Sequence, residues 1–490
     1  MNHALLAIVI IPAIATIATW WTPVAISKVI TICSGIAVFA LALALIPSAT
    51  THGYLAAGPA FRADALSIVF LVPTTFLYAT TSIFAAGYLH LPAGDAGRRY
   101  ARRFYAGLNI FCWSMAVAPL VNGLALLWVA IEVTTVVSAL LVAIDDTDGA
   151  IEAAWKYILL ASLGLGIALL ATIFMYYAGT KVFGSSYDLS YGKLLSGAHG
   201  FPKEIVRLAD VLAVLGFGTK MGLVPVHTWL PDAHSEAPTP ISALLSGALL
   251  AMSFYAILRF FQVSVRCLGP TFPRNVLLIF GLASLALAAL YLLSQRDLKR
   301  LLAYSSVEHM GILAIGMSFA APLAIVGVLL HVIAHAAAKG TAFFGAGSVV
   351  RKFKTKDMAR IRGGVGLLPW SGPMLVLAVL ALSAMPPFGI FRSEFLIVAG
   401  GLSDPHDVLA AVLVVLVTVA FFGLSWFTTQ TMLTPVPERE GLGLERGETS
   451  RLIVVAMAVG LVGLVVLGVH VPGQLSDLLH DAATQLEAVR

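Results

Sequence analysis

Several ionisable side chains of this sequence stand in apolar runs, at spacings suited to passing charge along a helix rather than to making or breaking bonds. In LHVIAHAAAKGTAFF, His331, His335 and Lys339 lie at i, i+4 and i+8. That spacing stacks all three on one helix face over two turns, about 12 Å by helix rise. Histidine both accepts and donates protons, so the stripe reads as a proton wire. A two-histidine metal site is the sharp alternative, but no carboxylate lies on this helix; a buried, hydrogen-bonded structural stripe is the plain one. The opposite face, with Leu329, Val332 and Ala336, is expected against lipid or apolar helices.

Glu132 sits in the middle of LALLWVAIEVTTVVSALL, with only Thr134, Thr135 and Ser138 as polar neighbours on its own helix. A carboxylate there must be protonated or paired, because an ionisable group at mid-bilayer costs at least about 2.5 kcal/mol. Lys220 lies one turn before Pro225. Burial disfavours the charged ammonium, so such a lysine switches protonation when a partner moves, and Glu132 is the expected partner. An ordinary helix–helix ion pair for Glu132 and snorkelling to an interface for Lys220 are the plain alternatives. Arg392 and Glu394 follow the Pro386–Pro387 pair and, two residues apart, point to different helix faces. Glu394 is expected to load or release a proton at the end of the path, and Arg392 to pair with a carboxylate or mark the interface.

In RDLKRLLAYSSVEHMG, Lys299 reads as a cytoplasmic-edge anchor, with Glu308 and His309 a turn or two deeper where they could join the axis. His227, Asp232, His234 and Glu236 cluster after the same broken segment as Lys220. Metal ligation is conceivable there, but Pro231 and the loop charges point to a cytoplasmic mouth or a capping turn. The Gly164/Gly166 and Gly441/Gly443 pairs are weak signals, the first read as close helix packing.

These residues need a membrane to make sense. Only 11% of the chain is charged, against about 25% in a soluble domain. Apolar runs of about 20 residues, each able to cross about 30 Å of hydrocarbon, recur from end to end. About fourteen spans are predicted, near 4–21, 25–47, 64–88, 104–120, 121–144, 154–178, 208–227, 239–262, 274–294, 300–319, 321–350, 365–399, 407–432 and 451–471. The chain is thus read as one all-α, polytopic membrane domain over 1–490. The first span carries no basic flank and reads as a retained helix rather than a cleaved signal.

The seventh span, GFGTKMGLVPVHTWLPDAHSEAPTP, and the twelfth, LALSAMPPFGIFRSEFLIVAG, are interrupted by proline. Such breaks survive in a bilayer where protein or water satisfies the freed carbonyls. They lie five spans apart, so two repeats of opposite orientation are expected, about 104–262 and 274–432, flanked by helices 1–3 and 14. Lys and Arg concentrate in the loops after spans three, nine and eleven. That side has about twice the basic residues of the other, which makes it cytoplasmic and puts both termini outside. Cys33, Cys112 and Cys267 form no ligand motif, so no bound cofactor and no structural metal are expected, and the net charge of +5 belongs to membrane loops rather than to nucleic-acid binding.

The runs KMGLVPVHTWLPDAHSEAPTPISALLSG, DLKRLLAYSSVEHMG and HVIAHAAAKGTAFFGAGSV resemble the antiporter-like proton-channel subunits of respiratory complex I, multisubunit cation/proton antiporters and membrane-bound group 4 hydrogenases. The likeness spans about residues 60–430. AYSSVEHMG, ISALLSG and PPFGIFRSEF make the chain look most like the F-type membrane subunit of hydrogenase-4. The resemblance implies fourteen helices, two inverted five-helix repeats, broken helices 7 and 12, and a polar axis through the membrane middle. Glu132 would match the family's fifth-helix glutamate, Lys220 the lysine of the broken seventh, and His331, His335 and Lys339 the polar face of the eleventh. Glu394, or else Arg392, would match the charged residue of the broken twelfth. One departure stands out: ALLAMSFYAILRF, in the eighth span, has no titratable group before Arg259, so water, Ser253, Tyr255 or another helix must link the halves. The implied function is a non-catalytic, proton-translocating subunit in a prokaryotic plasma membrane. Its partners would be other membrane subunits, a soluble redox arm, lipid, and protons or Na+. The alternatives are a module of a Na+/H+ antiporter and a non-pumping anchor of a hydrogenase-like complex.

Overall fold

The computed structural model describes residues 2–91, 94–319, 321–403, 407–435 and 445–487, so Gly441 and Gly443 lie outside the described residues. Helices α1 (Asn2–Trp21) and α2 (Val24–His52) lead into a hairpin, β1 (Tyr54–Ala57) and β2 (Phe61–Asp64), paired antiparallel with Tyr54 opposite Asp64. There follow α3 (Ala65–Tyr88), α4 (Asp95–Val117), α5 (Leu124–Val142), α6 (Asp148–Phe183), the short α7 (Tyr191–Gly197), α8 (Lys203–Met221) and α9 (Trp229–Glu236). α10 (Thr239–Leu244) runs through a π turn at Leu245–Leu249 into α11 (Leu250–Leu268). α12 (Thr271–Leu292), α13 (Leu298–Phe319), α14 (Pro322–Phe353), α15 (Gly364–Leu367), α16 (Ser371–Leu382), α17 (Gly389–Ser403), α18 (Asp407–Met432), α19 (Arg451–Val469) and α20 (Gly473–Leu486) complete the chain.

Among the described residues, ten helices are long and apolar enough to cross a membrane, the continuous Thr239–Leu268 counting as one. Burial separates inner from outer helices. The apolar stretch of Thr239–Leu268 is wholly buried, and those of α3 and α14 nearly so, whereas that of α1 or α18 is 28% buried. An inner helix meets other helices on every side. This is why Leu329, Val332 and Ala336, behind the histidine stripe of α14, are as buried as the stripe itself and face other helices.

Both predicted interruptions are real, and they shape the interior. α8 stops at Gly222, which takes a left-handed φ of 87° and returns its N–H to Gly218 O. The chain re-enters helix at Trp229, whose indole N–H donates to Thr219 O at 2.8 Å, while Ser284 Oγ accepts from Val224 N–H at 2.9 Å. Protein groups thus satisfy the opened backbone. The predicted span 365–399 is likewise two half-helices, α16 and α17, separated by Ser383–Phe388. α19 crosses this second break at Gly468, where an added Cβ would sit 1.9 Å from Pro387 O. Each break contains a cis X–Pro bond, at Val224–Pro225 and Pro386–Pro387. The hairpin, and the amphipathic α20 lying across α2, α3 and α14, were not expected from the apolar pattern.

Candidate functional site

The first half of the site lies where α8 ends against α5. Lys220, in the last turn of α8, is completely buried, and a helix C-terminus favours a cation there. Its Nζ donates to Ile131 O at 2.8 Å, to Thr134 Oγ1 at 2.6 Å and to Thr135 Oγ1. Three acceptors match the three donors of an ammonium. Among the described residues no ion pair within 4.0 Å joins Lys220 to Glu132. Glu132 is half-buried one residue beyond Ile131, with Oε2 buried and unpartnered. The expected direct pair is thus replaced by a grip on two hydroxyls and a carbonyl of α5.

The second half is assembled by α13, α14 and α17. Lys339 repeats the device: its Nζ donates to Leu302 O at 2.9 Å and Ser305 Oγ at 2.7 Å. His331, His335 and Lys339 are all buried, as the helical spacing required. His309 joins them from α13, its ring centre 5.1 Å from those of both His331 and His335. With the Ser393 hydroxyl donating to Ile390 O at 2.8 Å, its oxygen accepts from His331 Nδ1–H at 2.9 Å. The lone pair on His331 Nε2 then accepts from His309 Nδ1–H at 3.1 Å. His309 Nε2 is left as a bare, buried acceptor, and His335 Nε2 is likewise unpartnered. Glu394 Oε1 ends the row, 3.9 Å from His309 Nδ1 and without a hydrogen bond. Glu308, on α13, is buried with Oε2 unpartnered.

The remaining predicted residues fall elsewhere. Arg392 is half-buried and donates to Val469 O at 3.4 Å, away from the histidines. Lys299 stands in the first turn of α13. It is buried, and its Nζ donates to Ser235 O at 3.1 Å and Ala237 O at 2.6 Å, closing the C-terminal end of α9.

The family description "NADH:quinone oxidoreductase/Mrp antiporter, TM" matches residues 121–422 of this chain. The chain belongs to that family. It is 36% identical over 365 residues to a hydrogenase-4 component F homolog of Methylacidiphilum infernorum, covering 74% of this chain and 76% of that protein. It is 32% identical over 365 residues to NADH-quinone oxidoreductase subunit N of Desulforudis audaxviator, covering 73% and 70%. A chain of the membrane-bound sulfane sulfur reductase, an archaeal respiratory membrane complex, superposes with a TM-score of 0.86 over 100% of this chain and 98% of that one, at 19% identity. The last likeness speaks for the fold alone.

The family segment contains both lysine sites and the histidine row, and it also contains a residue the sequence reading misplaced. His234 is not at a cytoplasmic mouth. It is fully buried on α9, both ring nitrogens are without hydrogen-bond partners, and its ring lies between Trp229 at 6.3 Å and Phe343 at 5.7 Å. Phe343 is one turn beyond Lys339, so His234 stands between the two halves of this antiporter-like interior. A signal was present: Trp229, Leu230, Ala233, His234 and Ala237 form one helical stripe, and all are buried. The eighth span offers little in its place. Ser253 Oγ is buried without a partner, and Tyr255 OH is taken by Arg259 and Ser67. Arg259 forms a buried ion pair with Asp64 at 2.6 Å, tying α11 to the start of α3, a pairing the family resemblance did not bring out.

Proposed function

We propose that this chain is a proton-translocating membrane subunit of a hydrogenase-type or respiratory redox complex, non-catalytic in itself and working beside other membrane subunits and a soluble redox arm. The observation that carries this reading is the pair of buried lysine sites with a histidine row, each site beside a broken helix, in a chain of this family. The reading includes fourteen crossings. The ten long apolar helices are joined by α4, by α13, and by the broken pairs α8–α9 and α16–α17. Two inverted repeats, about 104–262 and 274–432, are supported by the two proline-broken helices, α8–α9 and α16–α17, which lie five spans apart. Lys220 grips a carbonyl and hydroxyls on α5, and Lys339 grips a carbonyl and a hydroxyl on α13. Both termini are read on the outer face of a prokaryotic plasma membrane.

In the proposed cycle, redox chemistry in a partner alters the field at one end and moves Glu132 relative to Lys220. Lys220 then surrenders its proton inward, past His234, to Lys339. The His335, His309 and His331 imidazoles carry charge on toward Glu394. The test is the purified complex in proteoliposomes, driven by its own electron donor. Lys220→Ala is expected to abolish proton movement while electron transfer and assembly persist. Lys220→Arg is not expected to rescue it, because guanidinium stays charged. Undiminished pumping by the alanine variant would remove Lys220 from the path. Transport that required Na+ would favour the antiporter reading, and a complex moving no ion would favour the anchor.

A further inference from the structure

We propose that His309, His331 and Glu394 form a divalent-cation site of the Zn2+ class, and that an ion held there arrests the histidine row. The arrest rests on the translocation reading above; the site itself rests on geometry. One donor atom from each residue lies within 4.8 Å of the others, and all three side chains are buried. His309 Nδ1 and His331 Nε2 are 3.1 Å apart, and His309 Nδ1 and Glu394 Oε1 are 3.9 Å apart. Ligands around a tetrahedral Zn2+ at 2.0–2.1 Å stand about 3.3 Å from one another. The two imidazoles are therefore already near their places, and only the carboxylate must close in. Glu394 also borders a cavity of about 250 Å³ beside Ile312, Phe391 and Val417, so its side chain is not packed on every side.

The surroundings suit the ion as well. His331 holds its Nδ1–H against Ser393 Oγ, which fixes the tautomer that offers Nε2 to a metal. Such an outer partner is a regular feature of metal-bound histidine. His309 frees Nδ1 by moving one proton to Nε2, the atom now buried without a partner, and stays neutral. Any proton on Glu394 leaves as the metal arrives. The Glu394 carboxylate then offsets one of the ion's two positive charges inside the membrane. Two imidazoles and one carboxylate, supplied by α13, α14 and α17, leave a fourth position open to water. The bound ion occupies the nitrogen pair through which the row would pass its proton, and it pins α17, which follows the second break, to its neighbours.

The experiment uses the purified complex with Co2+ as a spectroscopic probe and Zn2+ as the inhibitor. The expected result is one Co2+ retained per chain with visible d–d bands, and redox-driven proton uptake blocked by Zn2+. Glu394→Gln and His309→Gln should lose the bands. Ser393→Ala, which removes only the outer partner of His331, should weaken binding about tenfold. No retained Co2+, or retention undiminished in Glu394→Gln, which would mean surface ions only, overturns the site. If the complex pumps protons yet binds no ion, the metal proposal falls alone. If it binds Co2+ in the Glu394-dependent way yet moves no proton, the site stands and the translocation reading falls.

Discussion

The two lysine sites hold their ammonium groups by the same means but are furnished for different work. Lys220 has three oxygen acceptors, all from α5, and its only nearby carboxylate stands apart. Lys339 has two acceptors from α13, and it continues into three imidazoles and two carboxyl groups. A cation with all its donors matched is held in place. A cation beside bare nitrogen lone pairs has somewhere to send a proton. On the proposed translocation reading, the first site would store a proton and the second would relay it, although both are built from one lysine, one carbonyl and a hydroxyl three residues further along the facing helix.

The largest expected effect tests the storage side. Thr134→Val with Thr135→Val removes two of the three acceptors of Lys220, each bond to a charged group being worth about 1.5–3 kcal/mol. Proton movement in proteoliposomes should nearly vanish, while Ser305→Ala at the relay site should leave a measurable rate. Equal losses would erase the distinction. Next is the bridge between the sites. His234→Phe keeps the aromatic packing between Trp229 and Phe343 but cannot carry a proton, so translocation should fall by about tenfold or more in a complex that still assembles. An unchanged rate would place the link elsewhere.

His335→Ala should slow translocation more than it lowers thermal stability, and a variant that loses stability alone would mark His335 as packing. A smaller effect concerns Glu132. Because it does not touch Lys220 in this state, Glu132→Gln should impair coupling only in part, and the double variant with Lys220→Ala should be no worse than the lysine variant by itself. Additive losses would mean independent roles. The smallest effect on rate belongs to Gly468→Ala. The new methyl would meet Pro387 O, so stability should drop by about 1–3 kcal/mol, read as a lower melting temperature, with little change in turnover per folded complex.

Much of this was legible in the chain because the bilayer imposes length and polarity rules on every segment. Runs of about 20 apolar residues had to be helices. Proline at 225 and at 386–387 had to open them. His331, His335 and Lys339, spaced by four, had to share a face, and that face had to be internal. Those inferences depend only on residue type and local period. Contacts between helices do not. Glu132 and Lys220 look like partners in one dimension, yet the rotation of α5 against α8 presents Thr134 and Thr135 to the lysine. His234 reads as a mouth residue until α9 is seen folded back into the interior, and the bonds from Lys299 that close the end of α9 have no signal in the chain. The cluster of His309, His331 and Glu394 draws one residue from each of three helices far apart in sequence. Periodicity decides which way a side chain points from its own helix. What it meets there is decided by how the helices pack, and that depends on the whole chain at once.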